Sequence, residues 1–155
     1  MANPSKAKGS RAERTLEAYA RLRTGDERIA RLTLHGSEDV GDVGIVYAHG
    51  RKGVVEVKNY KGDATETQVA KWMAEAERER ANADMDWAFL VYHRNGKSMT
   101  MRDGKVPPTF EDSWCAMTVR TLLMVGDLHP RTYRPDVLDK VVRMTVGQAF
   151  DLFCG

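Results

Sequence analysis

Cysteine is nearly absent from this sequence. Cys115 and Cys154 stand alone, without the paired spacing of a zinc site or a disulfide framework. A structural zinc module and a disulfide-stapled scaffold are therefore excluded, and both thiols are assigned to packing in a reducing compartment. Long hydrophobic runs are missing too. Nothing approaches the roughly 20 apolar residues of a membrane span, and the polar start lacks the apolar centre of a signal peptide. A cytoplasmic protein with no membrane partner is expected. Internal repeats and low-complexity segments are absent. His49, His93 and His129 have no mutual spacing that would build a site. A strong charge excess is lacking as well: the formal net charge is +2, which neither demands nor excludes nucleic acid, since a carboxylate-lined site lowers the total while basic patches elsewhere meet phosphates.

What the chain does have is enough length for one well-buried domain, 155 residues with 42% hydrophobic, and too little for two. Its charge is unevenly spread. Before Leu34 stand Lys6, Lys8, Arg11, Arg14, Arg21, Arg23, Arg28 and Arg31 against four acids, a stretch suited either to a phosphate backbone or to a solvated helix face. Residues 1–8 are small, polar and basic and are expected to form a flexible arm. Ser10 has the character of an N-cap with Glu13 as its capping-box partner, and Ala12, Leu16, Tyr19, Ala20 and Arg23 carry a helical stripe to Thr24-Gly25. A weak strand follows over Arg28 to Leu34, a loop over Gly36 to Gly41, and two strands around a turn at Ala48 to Gly53. Thr65 opens a long helix with Gln68 at the capping-box position, continuing through Val69, Trp72, Met73 and Ala76. Trp87 to His93 is an apolar strand, and Asn95-Gly96 a turn leading into Ser98 to Arg102. Beyond Pro107-Pro108, a strand is expected at Trp114 to Val119 and short helices at Arg120 to Val125, Asp136 to Val142 and Thr145 to Phe153. The pattern is that of an α/β domain whose elements run helix, three strands, helix, strand, with a short helical C-terminal extension. Residues 9–106 form the core, and residues 107–155 pack on the same domain. Trp72, Trp87, Trp114 and Phe89 are read as core.

The chemistry lies in the second and third strands. Side chains two apart on a strand share a face, so Glu56 and Lys58 point one way and Val55 and Val57 the other. An ionisable pair in a β-branched apolar segment is costly unless its charges are paired or bound. Asp42 opens the preceding strand, and a hairpin sets directly opposed residues roughly 5 Å apart, bringing Asp42 beside Glu56. Two hard oxygen ligands with room for water suit Mg²⁺, or Mn²⁺, rather than zinc. The alternative is a solvated strand with a same-face salt bridge and Asp42 as a turn residue.

Asp42-x13-Glu56-x-Lys58 resembles the signature of the PD-(D/E)xK nuclease superfamily, with Gly41 where the name has Pro. Lys8-Gly9-Ser10-Arg11-Ala12-Glu13-Arg14 resembles the start of archaeal-type Holliday-junction resolvases and their phage-encoded relatives. The resemblance spans roughly Gly9 to His93, judged against ordinary element lengths. It implies a restriction-endonuclease-like core, with a mixed central sheet flanked by helices, and a Mg²⁺-dependent DNA endonuclease acting on branched DNA such as a four-way junction. If phage-encoded, the protein would work in the cytoplasm of a bacterial host.

In this scheme Asp42 and Glu56 hold the metal with the Val57 carbonyl as a further ligand, and Lys58 orients the attacking water and stabilises charge. Glu13 is then the helix-borne carboxylate that completes the site, or else only the partner of Ser10. Gln68 faces the cleft, or else only caps its helix with Thr65. Ser37 corresponds, at a shorter spacing, to a serine that resolvases place before the first aspartate, while Glu38 and Asp39 are alternative ligands. Lys8, Ser10, Arg11, Arg14, Arg51 and Lys61 are candidates for DNA contact. Asp127-x-His129-Pro130 resembles the opening of an HNH nuclease motif, but no later Asn and His complete it. Two symmetric cuts imply a two-fold homodimer, with the apolar C-terminal region as interface or as an internal layer. A different DNA nuclease of the superfamily, end-processing or site-specific, and a non-catalytic DNA-binding module of the same fold are the competing expectations.

Overall fold

A computed structural model describes residues 4–32, 42–128 and 133–154, excepting the side chains of 4–7, 45–48 and 153. Helix α1 spans Pro4–Thr24, a two-residue strand β1 Ala30–Arg31, β2 Val43–Ala48, β3 Arg51–Lys58, α2 Glu66–Asn82 and β4 Trp87–Tyr92. After a 3₁₀ turn at Pro108–Asp112 come β5 (Trp114–Thr118), α3 (Val119–Val125), the single turn α4 (Pro135–Leu138), β6 (Val141–Thr145) and α5 (Val146–Cys154). The six strands form one sheet in chain order. Only β3 and β4 pair in parallel, with α2 as the crossover between them; the other neighbours are antiparallel. The protein is thus α/β with a mixed open sheet.

The two faces of that sheet bury different helices. On one, Val55 and Val57 of β3, Phe89 and Val91 of β4 and Met117 of β5 pack against Leu16 and Tyr19 of α1 and Phe150 of α5. On the other, Val54, Ala88, Leu90 and Ala116 meet Met73 and Ala76 of α2. Strand β4 is covered on both sides, so all six of its residues are buried and its sequence is continuously apolar. The β2–β3 turn is tighter than the six residues expected. Ala48 pairs with Arg51, leaving His49 and Gly50 with φ of 49° and 77°, a pair of left-handed residues whose twist matches that of the strands. Gly53 is required by close approach, since a Cβ there would lie 2.2 Å from the Trp87 indole.

Several expected boundaries move. Helix α1 starts six residues before Ser10. Pro4, with its pre-set φ, suits a first helical turn, and the Lys and Ala residues after it are good helix formers. Ser10 is consequently interior to the helix and does not cap it. Residues 4–8 of the expected arm are helical. The strand expected over Arg28 to Leu34 reduces to Ala30–Arg31, with Thr33 and Leu34 outside the described residues. Ser98 to Arg102 forms no strand but an isolated bridge between Arg102 and Lys105. The helix expected over Asp136 to Val142 is one turn followed by β6, because β5 offers a free edge that the β-branched Val141-Val142 can occupy. The C-terminal extension is therefore half sheet, and Leu138, Val146, Ala149 and Phe150 are buried within the chain. Cys115 is buried as expected; Cys154 is exposed rather than packed, and both are free thiols. Among the described residues no helix is long and apolar enough to cross a membrane.

Candidate active site

Strand pairing brings Asp42 and Glu56 together. Val43 opposes Val55 in the antiparallel β2–β3 ladder, so one step further out Asp42 faces Glu56. The Leu32 N–H donates to the Asp42 carbonyl at 2.9 Å, and the Val57 N–H donates to Asp42 Oδ2 at 2.7 Å, which fixes that carboxylate against β3. Because Val43, Val55 and Val57 belong to the α1 side, Asp42, Glu56 and Lys58 fall on the α2 side. Glu56 is 6% exposed. Its Oε1 lies 2.6 Å from Lys58 Nζ, which also reaches Glu75 Oε2 on α2 at 3.3 Å. Glu79, a turn further along α2 and buried, hydrogen-bonds Glu56 as well.

Crowding of buried carboxylates sets the electrostatics. Asp42 is pushed up to about 8, first by burial and then by the Glu56 charge, against the lowering effect of the Val57 N–H; Glu13 adds a smaller push. Glu56 is also raised to about 8, by burial and then by its hydrogen bond to Glu79, with Lys58 opposing. Burial alone would lower Lys58, but the Glu56 and Glu75 carboxylates more than offset it and hold the ammonium above the ordinary lysine range. Lys58 is thus a cation at any physiological pH, suited to orienting water and stabilising negative charge rather than to removing a proton.

Glu13 reaches this end of the sheet from α1, but not as a cap. Arg31 of β1 binds its Oε2 through Nε at 2.9 Å and Nη2 at 2.5 Å, and the same Nη2 donates to Ser10 Oγ at 2.9 Å. Gln68 does form the capping box: its Oε1 accepts from the Thr65 N–H at 2.9 Å and its own N–H donates to Thr65 Oγ1 at 3.2 Å. It also lines a cleft of about 380 Å³ with Gly9, Lys58, Tyr60, Lys71 and Trp72, so its two expected roles coexist. Trp72 is accordingly half-buried and edges this cleft rather than lying in the core. Lys8, Arg11 and Arg14 are exposed on the N-terminal half of α1, and Lys61 is exposed in the loop after β3. Arg51 is not brought to the site: it stands at the opposite end of β3, roughly 23 Å from Lys58 at the usual strand rise, and donates to the Met124 carbonyl at 3.2 Å. Ser37, Glu38, Asp39, Gly41 and His129 lie outside the described residues.

Three participants escaped the sequence reading. Glu79 continues the inward stripe of Trp72 and Ala76, and an acid on an apolar helical stripe is the signal that would have found it. Glu75 and Arg31 carried no such signal, because each was one charge among many on a polar face. Among the described residues no three His, Cys, Asp or Glu side chains are grouped as ready metal ligands, since Arg31 holds Glu13 and Lys58 and Glu79 engage Glu56. The donor set still fits a hard divalent cation. Among the described residues Asp42, Glu56, Glu75, Glu79 and Glu13 gather about Lys58 and Arg31, and burial, reinforced by the neighbouring carboxyls, keeps protons on the two central ones to about 8. No protein-family model, curated protein or solved structure matches the chain.

Proposed function

We propose that the protein is a Mg²⁺-dependent DNA endonuclease of the PD-(D/E)xK type, acting on branched DNA and most specifically on four-way junctions. The observation that carries this reading is the meeting of Asp42, Glu56 and Lys58 at one end of the sheet, with both carboxyls buried and raised to about 8. The run α1, β1 to β3, α2, β4, with β3 and β4 parallel around α2, supports a restriction-endonuclease-like core.

Asp42 and Glu56 would hold the ion together with the Val57 carbonyl, giving up their protons as it binds. A divalent cation in such a place supplies charge for the developing phosphorane and lowers the pKa of a bound water. Lys58, kept charged and steered by Glu56 and Glu75, orients the attacking water and neutralises a non-bridging oxygen. Glu79 shares a hydrogen bond with protonated Glu56 in the metal-free site, and Glu13 is available once Arg31 releases it. Two symmetric cuts call for a two-fold dimer, and a DNA substrate puts the work in the cytoplasm.

Incubating matched linear, flapped and four-way DNAs with and without Mg²⁺ tests this reading. The expected outcome is metal-dependent cutting of the four-way DNA above the others, lost in Asp42→Ala and Glu56→Ala while DNA binding persists. Preference for the flapped or linear DNA would assign an end-processing or site-specific nuclease. No cutting of any DNA would overturn the proposal in favour of a non-catalytic DNA-binding module.

A further inference from the structure

Across the same sheet face from Lys58 lies a second concentration of cations that the proposed chemistry does not use. In the β3–β4–β5 register Lys58 opposes Tyr92 and Tyr92 opposes Trp114, which puts Trp114 two strands, roughly 10 Å, from Lys58. The Trp114 ring is met by two guanidinium groups, Arg94 from the end of β4 at 4.3 Å and Arg143 from β6 at 4.4 Å. These come from the strands on either side of β5. Neither arginine is in a salt bridge among the described residues. Arg94 makes one long hydrogen bond, to the Asp112 carbonyl at 3.4 Å. With Tyr92, Asn95 and Asp63 they line a cavity of about 380 Å³. Tyr92 is buried, with the Arg143 guanidinium beside its hydroxyl.

Both guanidiniums stack on the same indole and line the same cavity. Their donors, five per guanidinium, line an open cavity beside the Tyr92 hydroxyl, which Arg143 reaches. An anion with several acceptor oxygens would engage these donors, and bidentate arginine contacts suit a phosphate above a monatomic anion such as chloride. Asp63 on the same wall, whose Oδ1 accepts from the Asn95 N–H at 3.2 Å, sets one negative charge against two guanidiniums, so the balance of the cavity remains positive. The aromatic row Tyr60, Trp72, Tyr92 joins this cavity to the catalytic cleft, with ring centroids 5.8 and 6.2 Å apart.

We propose that Arg94 and Arg143, held against Trp114, form a second phosphate-binding site that grips a non-scissile phosphate of the strand lying across Lys58. Its assignment to a DNA backbone rests on the nuclease reading; its affinity for a phosphate group does not. The two are separated by measuring binding without cleavage. Fluorescein-labelled duplex and four-way DNA are titrated with metal-free wild type, Arg94→Gln/Arg143→Gln, Arg143→Glu and Arg94→Lys/Arg143→Lys across a salt series, and inorganic phosphate is titrated while the arginine side-chain NMR resonances of wild type are followed. The Gln pair is expected to bind DNA about tenfold more weakly on both substrates, with the slope of log K against log salt reduced by about 1; the Lys pair keeps most of the slope. Arg143 is exposed, so the single Arg143→Glu protein folds and reports the same loss should the double variant not. Unchanged affinity and slope in the Gln pair and in Arg143→Glu would overturn the proposal. If wild type fails to bind DNA, the nuclease reading falls; the phosphate site then stands if phosphate shifts the Arg94 and Arg143 resonances and falls if it does not.

Discussion

The two faces of one sheet solve opposite problems with alternate residues of the same strands. On the α1 side, Val55, Val57, Phe89, Val91 and Met117 close an apolar core. On the α2 side, β3 interrupts its apolar contacts with Glu56 and Lys58, and α2 answers with Glu75 and Glu79. A buried ion pair is a weak source of stability, because desolvation offsets most of the Coulombic gain. The α2 side therefore carries a cost that the α1 side must cover, which is the expected distribution when one face is kept for chemistry.

Truncating each face separates those tasks. The largest effect belongs to the charged side: Asp42→Ala and Glu56→Ala are expected to reduce single-turnover cleavage with Mg²⁺ by about 10³-fold or more, while circular dichroism shows a folded protein. Parent-like cleavage in either variant would remove that residue from the metal site. On the apolar side the effect moves from activity to stability. Phe89→Ala is expected to lower the unfolding free energy by about 3–5 kcal/mol in urea titrations, with cleavage per folded molecule unchanged. Loss of activity without loss of stability there would mean that the two faces are not independent.

How much of this contrast was legible in the sequence follows from the kind of signal each part carries. Strand alternation put Glu56 and Lys58 on one face and Val55 and Val57 on the other, and the β2–β3 register brings Asp42 opposite Glu56 as a hairpin requires. The Thr65–Gln68 box was equally plain, being local and complete within four residues. Ser10 and Glu13 show the same spacing, yet Glu13 turns to Arg31, a partner 18 residues away that no local pattern announces. Val141-Val142 read as helical by its neighbours became an edge strand because β5 had an open side, which is a tertiary fact. Trp72 and Trp114 read as core by residue type and stand half-buried at cavities, since a ring can seal an apolar layer with one side and meet solvent with the other.

Acidity offers a third way to set the faces apart. Asp42 and Glu56 bind protons in the folded protein up to about 8 and in the unfolded chain only to the ordinary carboxylate range near 4, so between those values the native state holds more protons. The stability this contributes is fully present below pH 4 and is lost as pH rises through about 8. Metal-free protein should therefore melt at progressively lower temperature across that window, other groups apart. Added Mg²⁺ should reverse the loss increasingly toward pH 8, because ion binding and proton release are one equilibrium. Glu56→Gln removes a titrating group and should flatten the metal-free profile. Thermal melts at pH 5 to 9 with and without Mg²⁺ measure all three, and a metal-free profile that rises between pH 5 and 8 would refute the assignment.

The smallest expected effect concerns how α2 supports the charged face. Glu75 pairs with Lys58 and is not one of the proposed ligands, so Glu75→Gln leaves both of those in place and takes away one of two carboxylates that hold the ammonium. Glu56 Oε1, at 2.6 Å, still pairs with it, and the lysine remains charged at neutral pH. What changes is orientation: with one anchor gone, Lys58 leans toward Glu56 and competes there with an incoming cation. The half-saturating Mg²⁺ concentration for cleavage should rise a few-fold, while the rate at saturating Mg²⁺ stays within about threefold of the parent, the size expected for a group acting one contact removed from the ion. A fall in the saturated rate with no change in metal dependence would mean instead that Glu75 aims Lys58 at the phosphate directly.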